Sequence, residues 1–181
     1  MAKSADRRKV LAVLAGGLVL GVGAAVTLAA WNDSEFAGGD FGAGAFVFQG
    51  STDGTTFEDH ASAGGAAQLA FETGADNLSP GDVVYEAYAL QVTGTYDATL
   101  EAVAPVDSAG TLVSDGDLSF AAVATSTFGC DETAFAGGTA VPTTIAPDTS
   151  VNLCLQVTAN ASLEQGETGT VMWQWNAESV E

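Results

Sequence analysis

Few side chains in this sequence can do chemistry, and their spacing narrows the choice further. The single histidine, His60, follows Glu58 and Asp59, a grouping that would suit a metal ion if further ligands converged on it. Zinc sites need three or four such ligands, and the ordinary setting for one histidine beside two acids is a solvated loop end. The chain has no H-E-x-x-H, so it lacks the paired ligands and general base of that class of metallopeptidase. No Ser/His/Asp pattern or nucleophilic cysteine stands out either. Asp115-Gly116-Asp117 and Asp131-Glu132 are acidic turns with oxygen donors for calcium, but neither has the ligand spacing of an EF-hand loop. Solvated turns are the plainer reading. The expectation is therefore no catalytic residue, no metal site and no cofactor, and a protein that is not an enzyme.

Two cysteines remain, Cys130 and Cys154. Two cysteines and a remote histidine do not make a zinc site, whereas an even count in an oxidising compartment favours a disulfide. It would close a loop of about two dozen residues and contribute on the order of 3 kcal/mol in the chain-entropy treatment.

The first thirty residues supply the compartment. Arg7-Arg8-Lys9 precedes an apolar run from Val10 to Ala30, which ends at Trp31-Asn32-Asp33-Ser34-Glu35. A cationic start, an apolar middle and small residues before a polar boundary are the parts of an export signal. One cut falls after Ala29, with Thr27 and Ala29 as the small pair; the other falls after Ala30, with the larger Leu28 three residues back. The first is preferred, giving residues 1–29 as signal peptide. An uncleaved anchor is the alternative, since the 21 residues from Val10 to Ala30 span roughly 31 Å as a helix. Gly16, Gly17, Gly21 and Gly23 weaken that helix, and no basic stop-transfer cluster follows. Arg7-Arg8 also partly resembles a twin-arginine export motif. Each route puts the domain outside the cytoplasm, secreted or on the cell surface, with signal peptidase as a partner during export and the membrane met only through the signal segment.

The exported part is anionic. All four basic residues lie before the apolar run, and of the 23 acids only Asp6 precedes the cut, which leaves 22. No Lys or Arg salt bridge is possible beyond it. Apolar burial, backbone hydrogen bonds and a disulfide must hold the fold against self-repulsion. Nothing there neutralises phosphates, so nucleic acid and anionic lipid are excluded as partners. The charge suits cations, polycationic surfaces or salty surroundings that screen it.

These residues must be positioned by strands. Runs rich in Val, Thr, Tyr, Phe and Trp are separated by Gly, Asp, Asn and Pro. Phe46 to Gln49, Thr55 to His60, Val83 to Val92, Tyr96 to Val103 and Ser119 to Phe128 are expected strands, and Ser62 to Glu72 a short helical turn. Val151, Leu153, Leu155 and Val157 alternate with Asn152, Cys154, Gln156 and Thr158, the pattern of a half-buried strand. Cys154 falls on its polar face, so the disulfide is expected to pin a surface loop. Val171, Trp173 and Trp175 mark a last strand with a tryptophan-lined inner face. About eight strands with short turns make an all-β, jelly-roll-like β-sandwich behind an N-terminal signal helix. Ahead of the sandwich, Trp31, Phe36, Phe41 and Phe46 recur every five residues among glycines. Residues 30–48 are read as an N-terminal arm and 49–181 as the sandwich. The arm either packs on its own core or on a neighbour's.

Three stretches resemble the TasA/camelysin family of exported bacterial proteins, processed by the SipW type of signal peptidase. They are Leu28-Ala29-Ala30-Trp31-Asn32-Asp33-Ser34-Glu35, Phe41-Gly42-Ala43-Gly44, and Leu78-Ser79-Pro80-Gly81-Asp82 with Leu90 and Thr93-Gly94-Thr95. Val92 stands where the family has Asn. The resemblance implies a jelly roll and, in the TasA branch, biofilm-matrix fibres in which each subunit lends an N-terminal strand to the next. The chain would then be its own partner in a homopolymer, with Ala30 to about Phe36 as donor and Trp31 and Phe36 as its anchors. The metallopeptidase classification of the camelysin branch is not carried over, for want of ligands. The alternative is a surface-anchored binding module for calcium or carbohydrate that does not polymerise.

Overall fold

The computed structural model describes residues 6–16, 34–71 and 74–180. The chain divides into two compact units, Met1–Phe41 and Gly42–Glu181. In the first, residues 6–16 form helix α1, and residues 34–41 carry no regular structure. No helix among the described residues is long and apolar enough to cross a membrane. The cleavage positions Ala29 and Ala30 lie outside the described residues.

The second unit is an all-β sandwich, with seven strands among the described residues: β1 Phe46–Ser51, β2 Val83–Gly94, β3 Asp97–Ala109, β4 Leu118–Thr125, β5 Thr144–Ile145, β6 Thr149–Ala159 and β7 Thr170–Val180. A short helix, α2, spans Glu132–Ala136. One antiparallel sheet has the order β1-β2-β6-β4, the other β5-β3-β7. Every connection from β2 to β7 crosses between sheets, which is the jelly-roll habit. The core lies between the sheets. Ile145, Leu153, Leu155 and Val92 are essentially fully buried there, each contributing about 1.5–3 kcal/mol by burial.

Residue chemistry explains the ends of these elements. Pro80 and Gly81 form the centre of a tight turn closed by the Asp82 N–H on the Ser79 carbonyl at 2.9 Å. Gly81 has φ +97°, which a type II turn demands at that position and which other side chains resist. The carboxylate of Asp82 accepts from the Ser79 N–H at 2.8 Å, so the turn delivers β2 in register beside β6.

Two expectations fail, and a third is met over three residues only. Thr55 to His60 is not a returning strand; its backbone meets β1 through a single bridge from Glu58 to Gly50. Asp53 accepts from the N–H groups of Thr55 and Thr56 at 2.7 and 2.6 Å, curling this stretch into a closed turn. The short helical turn expected within Ser62 to Glu72 is a single 3-10 turn at Ala63–Gly65, and residues 66–71 are not helical. Cys154 is not on a solvated face: it is 0 % exposed. β6 is an inner strand, and the segment carrying Cys130 and α2 covers the outer face of its sheet. Asp131 starts α2 by accepting from the Ala134 N–H at 2.7 Å, and Phe135 lies 5.9 Å from the Tyr85 ring. The arm, read from sequence as far as residue 48, gives Phe46–Phe48 to β1.

Candidate functional site

The two sheets are unequal, four strands facing three, and the difference falls beside β7. Val171, Trp173 and Trp175 turn inward as the alternation requires. Trp175 stacks on Tyr88 of β2 with ring centres 5.3 Å apart, and Trp173 meets Phe120 of β4 edge-on at 5.6 Å. Tyr88 fits only because residue 50 is glycine: a Cβ there would coincide with the tyrosine hydroxyl. Burial pushes the Tyr88 phenol above its ordinary pKa, so the group stays neutral.

A slot of about 750 Å³ runs along this side of the sandwich. One wall is β7 itself: successive residues from Thr170 to Ala177 line it. Side chains of a strand alternate between faces, so an unbroken run of lining residues means that the strand's edge faces the space. The floor includes Val84, Tyr88, Leu90, Leu118 and Val157, and residues 59–71 supply much of the far wall. His60 is there, half-buried, with Nδ1 buried and without a hydrogen-bond partner.

Among the described residues β7 pairs with β3 alone, and no bridge protects its other edge. β1 is bridged at Gly50 by Glu58, and β4 at Ala124 by Thr139. β3 is flanked by β5 only at Ala98 and Thr99. Beyond that it is interrupted by Pro105 within a register shift between Val103 and Val106, and proline and bulges are devices that blunt an edge. From Thr170 to Trp175, β7 carries no proline, glycine or charge. Its unpaired N–H and C=O groups border an apolar space, which is what an added strand requires.

The residues singled out from sequence fall in different places. Trp31 lies outside the described residues. Phe36 is 92 % exposed and Phe41, five residues on, 98 % exposed. Cys130 and Cys154 are bonded, with Cα atoms 4.9 Å apart. Gly116 is held by its carbonyl, which accepts from Asn160 Nδ2 at 2.8 Å and Ser162 Oγ at 3.2 Å. Among the described residues no three His, Cys, Asp or Glu side chains gather as metal ligands would. The edge of β7 had no signature in the sequence beyond the alternation of its tryptophans. The chain matches no family model and no curated protein.

Proposed function

We propose that this chain is an exported structural subunit that polymerises by strand donation, the arm of one copy completing the three-stranded sheet of the next beside β7. The observation that carries this reading is the unpaired edge of β7, uncharged from Thr170 to Trp175, above an apolar slot. The donor has the complementary character: residues 34–41 have no regular structure of their own, and their two phenylalanines are held in solvent. Backbone pairing would supply affinity and alternate side chains would fill the slot. The resemblance of the junction and the Pro-Gly-Asp segment to the TasA/camelysin family supports the same reading. It extends it to a SipW-type leader, secretion and a fibre of the biofilm matrix, with Trp31 and Phe36 as donor anchors.

Electron microscopy of the full chain and of a variant lacking residues 30–36 tests this, each also with added peptide of residues 30–41. Fibres from the parent, none from the deletion and suppression of fibres by the peptide are expected. Fibres that form equally well without residues 30–36 and ignore the peptide would overturn it.

The slot favours one rival, a carbohydrate-binding module, since its volume is in the range of small-molecule sites and tryptophans line it. Sugars stack on open ring faces, however, and here Trp175 is stacked on Tyr88 and Trp173 on Phe71. Calorimetry with neutral oligosaccharides separates the two readings.

A further inference from the structure

The slot already has an occupant of a kind. After the turn at Ala63–Gly65, Ala66 has extended dihedrals, φ −61° and ψ 141°. From there Ala67, Leu69 and Phe71 are half-buried while Gln68 and Ala70 are exposed. This is the two-residue alternation of a strand. Ala67 and Leu69 pack on the core shared with Trp173 and Trp175, and Phe71 stacks on Trp173 at 5.5 Å. Yet residues 66–71 belong to no sheet: the partners of β7 are all on β3. The segment contributes side chains to the place of a fourth strand, and its backbone joins no ladder.

We infer that residues 66–71 are an internal placeholder, covering the apolar floor of the slot in the free subunit and yielding to the incoming arm. This inference rests on the strand-donation reading. An uncovered slot would leave the floor in water and the β7 edge open to unwanted strands. A placeholder must also be weaker than the donor, and three apolar side chains without a ladder are weaker than a strand that brings both. Its setting fits a segment that moves. Gly64 has open space around the position of a Cβ, and Gly74 beyond it has φ +117°, a backbone conformation that glycine adopts without strain.

Hydrogen exchange on the full chain, with and without the peptide of residues 30–41, reads this directly. Peptide binding is expected to slow exchange across residues 170–180 while residues 66–71 gain no protection. Chymotryptic cleavage after Leu69 and Phe71 should become faster in the bound state. The paired variant Leu69→Ser/Phe71→Ser should take up the peptide severalfold faster than the parent. If residues 66–71 are instead a fixed wall that the donor packs against, they gain protection together with β7 and resist the protease, and the placeholder inference falls while strand donation stands. If the peptide protects neither stretch, strand donation falls and the placeholder falls with it. The exchange and protease readouts use the unaltered chain, so they decide the matter even where the paired variant folds poorly.

Discussion

Phe36 and Phe41 are the side chains whose exposure a free domain leaves unexplained. Burying a phenylalanine contributes up to about 3 kcal/mol, and a chain holding two rings at 92 % and 98 % exposure forgoes that. Five residues apart, they fall on opposite faces of a regular strand. Gly38 and Gly39 between them are where a bulge would bring both rings to one side. Trp31 and Phe36 have the same spacing without a glycine between, so a regular donor strand would direct only one of that pair into the slot. Phe36→Ala and Phe41→Ala are therefore expected to leave thermal unfolding of the subunit within about 0.5 kcal/mol of the parent, as surface substitutions do, while slowing assembly to unequal extents. Calorimetry of the free subunit, with light scattering of assembly, measures both. Equal, undiminished assembly in the two variants would remove both rings from the donor.

At the level of elements, sequence resolves which residues alternate but not what lies over or beside them. β6 and β7 were legible because their apolar residues recur every second position, and β2 because the Pro80-Gly81 turn announces its start. The burial of Cys154 was not legible. Alternation assigns it to the polar phase of β6, and only the fold brings α2 across that face. Thr55 to His60 has strand composition, but Asp53 draws Thr55 and Thr56 into its own hydrogen bonds. Residues 66–71 read Ala-Ala-Gln-Leu-Ala-Phe, and alanine at three of the six positions blurs the alternation that burial shows, so by type they fit helix or strand equally. The slot was illegible for a different reason: a free edge consists of a partner that is missing, and no residue of β7 encodes that. The disulfide is the device at this scale with a measurable weight. It ties the start of the α2 segment to the middle of β6 across a separation of 24 residues. Cys130→Ala/Cys154→Ala should cost about 3 kcal/mol, lowering Tm by roughly 6–12 °C for a domain of this size. Alanine is the suitable replacement because a serine hydroxyl at the fully buried position 154 would need a partner. A Tm within a degree or so of the parent would mean that the α2 segment holds its place by packing alone.

Over the whole molecule the governing fact is charge. Beyond Lys9 the chain has no Lys or Arg, against 22 of its 23 acids, so every approach of two copies is opposed by like charge. Screening by salt or divalent cations should relieve this, and so should partial protonation of the carboxylates as pH falls. Acid has a limit set by two carboxylates that the fold uses. Backbone N–H groups of Thr56 and Thr55, with the Thr56 and Ser51 hydroxyls, hold Asp53 far below its ordinary pKa of 3.8. The Val113 N–H lowers the pKa of Asp107, partly opposed by burial and helped by Ser114. A carboxyl whose pKa is depressed on folding stabilises the folded state in full above its unfolded value. That contribution declines as pH falls below that value and is gone below the folded one. Asp53 fixes the turn that follows β1, a strand whose Phe48, Gln49 and Gly50 line the slot, and Asp107 fixes the loop between β3 and β4. Assembly should therefore rise as pH drops from neutral toward the ordinary carboxylate range, then fail below it as these two turns loosen. Asp53→Ala should lower Tm at neutral pH, and the difference from the parent should vanish in strong acid, where Asp53 of the parent is itself protonated. Turbidity and Tm followed together across pH, at low and high salt, separate the two effects: salt should substitute for acid in promoting assembly but should not restore the stability lost with Asp53. Assembly that is greatest at neutral pH and low salt would show that charge repulsion does not govern the contact between copies.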